Sequence, residues 1–267
     1  LKSLIDLSNH YGSDKGTTTP KQGWGRPHNY ADIYQAYFSD IREEPLTILE
    51  IGAGVLGPNW ETGIVGGRNP GGASIRMWYD FFPKARIVTI DINPAGFLEN
   101  DRIEAYTVDQ GSEESLAGFL SQLGATQFDI VIDDGSHVPE HQQTSLGMLF
   151  GAVKPGGLYF IEDLLKNGRG DNSKRRNASN EVYSTLSVLK ALCEEGRLKE
   201  PHRIGHPEAF TASVKYINWH CPRITPILVD RETGAGPADS RMQGKATKPW
   251  FEFDVDFPML CAIRKKK

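Results

Sequence analysis

Apolar residues along the chain fall into two alternating patterns. Leu46–Ile51, Arg86–Asp91, Ile103–Asp109, Phe128–Asp133 and Gly157–Glu162 are short, mostly apolar runs that end in an acid or a glycine cluster. Such runs predict strands buried on both faces of a parallel sheet. Between them, Tyr30–Phe38, Ala73–Phe82, Ser112–Leu123 and Pro139–Val153 repeat apolar positions at helical spacing. Their punctuation agrees: Pro83 stops the second, Ser112 opens the third, and Pro139 sits in the first turn of the fourth.

Strands alternating with helices predict an α/β fold, a mostly parallel sheet with helices on both faces. Beyond Asp163 the alternation weakens. Lys166–Asn177 reads as a loop and Asn180–Gly196 as a helix. Val214–Trp219 and Ile224–Val229 resemble an antiparallel pair, and Phe257–Ile263 is a last strand. Two of these three are expected to close the sheet, with an antiparallel strand near one edge. The expected organisation is an N-terminal helical lid segment, 1–45, and one domain, 46–267. Loops at 11–29, 57–72 and 230–250 are expected to be mobile covers.

Composition narrows the class. The chain has 267 residues, 39% hydrophobic and 24% charged, enough to bury a core without disulfide or metal staples. Its net charge of −4 argues against a nucleic-acid partner. Cys193, Cys221 and Cys261 are far apart and form no CxxC, which excludes a thiolate zinc cluster and fits a reducing cytoplasm. No apolar run is long enough to cross a bilayer. The expectation is a cytoplasmic protein with no membrane and no nucleic-acid partner, assembling as a homo-oligomer.

Gly52-Ala-Gly54-Val-Leu-Gly57 satisfies G-x-G-x-x-G, the dinucleotide fingerprint. That fingerprint wants a helix opening at the second glycine and an acid about 20 residues on. Here a loop rich in glycine and proline intervenes, and Asp91 lies 34 residues past Gly57. S-adenosylmethionine suits the pattern better, having a cationic methionine end and a ribose diol but no phosphate. Glu50 would attract the cation, with Gly52 and Gly54 allowing close backbone approach. Asp91 would grip the ribose hydroxyls, and Asp109 with Gln110 would meet the adenine amino group. Asp133 ends the fourth strand and is counted with them. Acids at successive strand ends share the edge where open α/β sheets bind ligands.

Asp133-Asp134-Gly135-Ser136-His137 follows the fourth strand and Glu162-Asp163 the fifth. Neighbouring parallel strands would bring the clusters together. Carboxylates without thiols suit a hard divalent ion, so Asp134, Glu162 and Asp163 are candidate ligands for Mg²⁺. A metal lowers the pKa of a hydroxyl placed on it and a base takes the proton. His137 is the candidate base, with Asp134 beside it. His137-Val-Pro-Glu140-His141 also matches the H-x-x-E-H zinc pattern, but Pro139 leaves His137 outside the helix, with His141 an ordinary helical residue.

Leu49-Glu-Ile-Gly-Ala-Gly54, Gly72-Ala-Ser-Ile-Arg-Met-Trp78, Ile132-Asp-Asp-Gly-Ser-His137 and Lys154-Pro-Gly-Gly-Leu-Tyr-Phe-Ile-Glu-Asp163 resemble the macrolide-sugar and rhamnosyl O-methyltransferases. Tyr11-Gly-Ser-Asp-Lys-Gly16 and His28-Asn-Tyr30 resemble the segment that precedes the core in that family. The resemblance covers residues 10–165 and fades beyond. It implies a Rossmann-like class I methyltransferase sheet and S-adenosylmethionine held by Glu50, Gly52, Asp91 and Asp109, with Ser74 added. It also implies magnesium on Asp134, Glu162 and Asp163, with His137 as base. The function expected is metal-dependent O-methylation of a sugar hydroxyl on a glycosylated natural product or nucleotide-sugar. Segment 54–72 departs from the family in length and glycine content. Rival readings are a catechol-type O-methyltransferase, with Trp24, Trp60 and Trp250 as an aromatic clamp, a non-catalytic S-adenosylmethionine-binding scaffold, and an NAD-dependent dehydrogenase.

Overall fold

The structure is a computed structural model and describes residues 2–18, 27–55, 71–164, 168–169, 180–221, 228–229, 248–249 and 259–267. The loops expected at 57–72, 166–177 and 231–249 lie mostly outside these residues, and Trp24, Trp60 and Trp250 wholly so.

Among the described residues, seven strands form one sheet. β1 (Thr47–Ile51), β2 (Arg86–Asp91), β3 (Ile103–Thr107), β4 (Phe128–Asp133) and β5 (Val153–Ile161) run parallel, in the order β3-β2-β1-β4-β5. Beyond β5 the sheet continues with β9 (Leu260–Lys265), antiparallel to its neighbours, and ends with β6 (Val214–His220). This mixed sheet flanked by helices is the Rossmann-like class I methyltransferase arrangement.

The antiparallel pairing expected between Val214–Trp219 and Ile224–Val229 is corrected: β6 pairs with β9 instead. Leu228–Val229 (β7) pairs apart from the main sheet with Lys248–Pro249 (β8). Burial explains the choice. Leu260-Cys-Ala-Ile263 is buried at every position and needs a neighbour on each side, whereas the half-exposed β6 suits an edge.

The expected helices are present as α2 (Tyr30–Phe38), α3 (Ala73–Phe81), α4 (Glu113–Leu123), α5 (Pro139–Leu149) and α6 (Thr185–Glu195). Two short ones are additional among the described residues, α1 (Leu4–Tyr11) and α7 (Pro207–Ser213). Ser3 and Asp6 make a capping box at the start of α1, and Gly12, in the left-handed region, closes it.

Strand period two sorts side chains onto the two faces. Ile48, Ile130, Ile132, Leu158 and Phe160 join Leu4, Leu7, Tyr30, Tyr34, Phe38 and Trp78 in one cluster, beneath α1, α2 and α3. Leu49, Val131, Tyr159 and Ile161 join Leu116, Leu146, Leu189 and Phe210 in the other, beneath α4, α5, α6 and α7. The parity continues into the acids. Glu50 and Glu162 fall on the first, aromatic face, and Asp133 on the second.

Candidate active site

The C-terminal ends of β1, β2, β4 and β5 meet at one edge, and the chain turns sharply there. Gly52 has φ +89°, and a Cβ on it would stand 2.2 Å from the Asp134 carbonyl oxygen. Only glycine lets the loop after β1 lie against the loop after β4. The next described helix is α3, entered through Gly72 in the left-handed region. Gly52 to Val55 are not helical, and the segment that follows, 56–70, lies outside the described residues.

Two cavities flank this crossing. The first, ≈ 290 Å³, runs from Gly52 and Gly54 past Asp91, Asp109 and Gln110 to His141. The second, ≈ 340 Å³, shares Gly52, Gly54 and Asp134 and extends to Ser13, Ser74 and His137. Asp91 Oδ2 accepts from the backbone N–H of Ala53 at 2.9 Å, and Oδ1 from that of Asn93 at 2.8 Å, so this carboxylate also braces the glycine loop. His141 is more than a bystander of α5. Its Nδ1 lies 3.0 Å from Ser136 Oγ, and its ring packs where a Gly111 Cβ would stand.

Asp133 lines neither cavity. It is fully buried and accepts from Gln110 Nε2 at 2.6 Å, Ser145 Oγ at 2.7 Å and Tyr159 OH at 3.3 Å. Gln110 Oε1 in turn accepts from the Ser136 N–H at 3.0 Å, which ties the β3 and β4 loops together. Burial pushes the Asp133 carboxyl up to about 6 against the pull of Ser145 and Gln110.

Glu50 likewise lies beneath the glycine loop, in the wall of neither cavity. Its Oε2 accepts from Trp78 Nε1 at 3.0 Å, and burial, opposed by Lys15, lifts it to about 7.

The residue that sequence reasoning passed over is Lys15. Its side chain is wholly buried, and its Nζ donates to Asp134 Oδ2 and, at 2.9 Å, to Glu162 Oε2; Glu50 Oε1 is 3.5 Å away. Burial alone would lower the Lys15 pKa, but Asp134, Glu162 and Glu50 hold it well above the ordinary value. Burial raises Asp134 and Glu162, partly offset by Lys15.

Helix α2 supplies further support. Tyr30 and Tyr34, one turn apart, donate to Asp163 Oδ1 and Glu162 Oε1, each at 2.6 Å. Desolvation works to raise the Asp163 carboxyl, yet His137, His28 and Tyr30 outweigh it and keep the carboxyl below the usual carboxylate range.

Among the described residues, Asp134, His137 and Asp163 form the one group whose ligand-type atoms lie close enough to share an ion, within 4.8 Å of one another. His137 Nε2 is 3.6 Å from Asp163 Oδ2 and 4.0 Å from Asp134 Oδ1. The carboxylates of Asp134 and Asp163, partly open to solvent, fit a hard divalent ion completed by water or substrate oxygen, with the His137 imidazole beside it. His137 (φ +57°) and Asp163 (φ +49°) both adopt the left-handed backbone region, a cost that clusters at functional sites.

The sheet order and its antiparallel strand give the chain the fold of the class I methyltransferases. No family model matches the chain. It is 36% identical over 198 residues to 8-demethyl-8-(2-methoxy-alpha-L-rhamnosyl)-tetracenomycin-C 3'-O-methyltransferase of Streptomyces olivaceus, covering 73% of this chain and 45% of that protein. It is 39% identical over 198 residues to mycinamicin VI 2''-O-methyltransferase of Micromonospora griseorubida, covering 72% and 43%. Its fold matches the solved MycE methyltransferase of the mycinamycin pathway, in complex with Mg, SAH and mycinamycin VI. That match has TM-score 0.62 and 25% identity, and covers 100% of this chain and 55% of that one. The chain therefore belongs to the macrolide-sugar and rhamnosyl O-methyltransferase family. It spans about half the length of these relatives.

Proposed function

We infer that the protein is a metal-dependent, S-adenosylmethionine-dependent O-methyltransferase that methylates a sugar hydroxyl of a glycosylated macrolide-type product. The observation that carries this reading is the convergence of Asp134, His137 and Asp163 beside the Gly52–Gly54 cavity. The MycE structure, which holds Mg, SAH and mycinamycin VI, supports the same reading. Bound S-adenosylmethionine supplies an electrophilic methyl group. A divalent ion held by Asp134, Glu162 and Asp163 would lower the pKa of the acceptor hydroxyl.

This chain's residues do the rest. Gly52 and Gly54 admit the donor, Asp91, Asp109 and Gln110 line the cavity for its nucleoside, and Ser74 lines the methionine side. Glu50 and Asp133 act from beneath, through Trp78 and Lys15 in one case and Gln110 in the other. Asp134, Glu162 and Asp163 are the carboxylates available to Mg²⁺. His137 Nε2 takes the acceptor proton, and Asp163 stabilises the imidazolium so formed. The segment 1–45 serves the domain 46–267 through Lys15, Tyr30 and Tyr34, which hold the acids from one side. The protein works in the cytoplasm as a homo-oligomer, which light scattering would test.

His137→Gln tests the reading. Methyl transfer to a macrolide glycoside is expected to fall by about 10²–10⁴-fold, with S-adenosylhomocysteine binding unchanged by calorimetry. Full turnover in this variant would sink the assigned base. Failure of the wild type to bind S-adenosylhomocysteine would sink the whole reading.

A further inference from the structure

The wall of the second cavity carries three ionisable side chains, Asp14, Asp134 and His137. Two of them are engaged within the protein: Asp134 Oδ2 receives the Lys15 ammonium, and His137 Nε2 lies 3.6 Å from Asp163 Oδ2. Asp14 is more open, its side chain 41% exposed against 19% for Asp134. Among the described residues its ion-pair partner is His28 Nδ1, at the long distance of 3.9 Å. Its backbone, by contrast, is fixed. Ser13 and Lys15 on either side are buried, and the Asp14 carbonyl oxygen accepts from the His28 N–H at 2.6 Å. A carboxylate is thus held at the cavity with little conformational freedom left to lose on binding.

We propose that Asp14 is a donor-binding residue, whose carboxylate receives the α-ammonium of S-adenosylmethionine, the part expected of Glu50 from the sequence. The inference rests on the donor reading above and extends it. Glu50 lines neither cavity and is committed to Trp78 beneath the glycine loop. Asp14 shares a cavity with Gly52, Gly54 and Ser74, the residues set at the methionine side of the donor. The start of α3 supplies the complementary charge. Ala73 and Ser74 line the same cavity, and Gly72, the N-cap, has no side chain to satisfy the first-turn N–H groups. Those groups suit an anion. An α-amino acid carries one charge of each sign, so a carboxylate and a helix start in one cavity can read both of its ends.

Calorimetry on the intact protein tests this. It compares S-adenosylhomocysteine with its desamino analogue, which keeps the nucleoside, thioether and carboxylate and lacks the ammonium. The wild type is expected to bind S-adenosylhomocysteine at least about tenfold more tightly than the analogue. Asp14→Asn is expected to bind the two within about twofold of each other. Each ratio is taken within one protein, so a uniform loss of affinity or stability in the variant cancels. Equal affinities in the wild type would overturn the proposal without any variant and leave the donor reading standing. A full preference kept in Asp14→Asn would put the ammonium on another residue and overturn the proposal as well. Wild-type protein that binds neither ligand would remove the donor reading and the proposal together.

Discussion

Two buried carboxylate centres stand on opposite faces of one sheet, and they are neutralised in opposite ways. On the aromatic face, Glu50, Asp134 and Glu162 surround the Lys15 ammonium. On the other, Asp133 is held by the neutral groups of Gln110, Ser145 and Tyr159. The first centre depends on a charge delivered from far away in the chain. The second depends on dipoles from the loop before α4, from α5 and from β5. An ion-balanced centre can border a metal site because its charges can be shared. A dipole-balanced one is closed, and it fixes loop geometry.

Breaking the first centre should have the largest effect. Lys15→Ala leaves three carboxylates buried without their cation and is expected to cost about 3–5 kcal/mol in urea unfolding. A loss of only a few tenths would mean that those acids find other partners. Tyr34→Phe removes one hydrogen bond to Glu162 and should cost about 2 kcal/mol, with Trp78 and Phe160 still packed against the ring. Ser145→Ala removes one of several donors from Asp133 and should cost about 1 kcal/mol. If it costs more than Tyr34→Phe, the contrast between the centres is wrong.

The smallest effect belongs to an exposed pair that serves as a baseline. Arg86 Nε and Nη2 donate to Glu104 Oε1 and Oε2 at 2.6 and 2.8 Å, which holds the Glu104 carboxyl below its usual range. A lowered folded pKa means stability present above the unfolded value of 4.5 and lost as pH falls through the folded one. Both partners are more than a third exposed, so the term stays under about 1 kcal/mol. The gap between Glu104→Gln and wild type should therefore be small at neutral pH and vanish on acidification, as followed by thermal melts across pH.

The same contrast explains what could be read from the sequence. β1 to β5 were legible because each is an apolar run bounded by an acid or a glycine, and such runs have few alternative fates. The acids at their ends were legible as a group, since parallel strands place their C-terminal ends on one edge. Which face each acid takes follows from strand parity, but its partner does not. Lys15 sits in a Ser-Asp-Lys-Gly turn that reads as solvated surface, and its burial comes from contacts 119 and 147 residues away. α1 escaped notice because eight residues give barely two turns of periodicity. The partner of β6 was misjudged because proximity in sequence suggested a hairpin, whereas the burial of Leu260–Ile263 demanded the interior position.

That insertion imposes a schedule on assembly. β9 lies between β5 and β6, yet it is the last of the three to be synthesised. The parallel part of the sheet can form on a growing chain, but β6 finds no sheet neighbour until residues 260–265 arrive. Until then the far edge of β5 stays open, and Tyr159, which reaches Asp133, lacks the strand that covers its flank. In a ribosome-bound chain β1 to β5 could pair first, with the β5 edge covered only once residues 260–265 emerge.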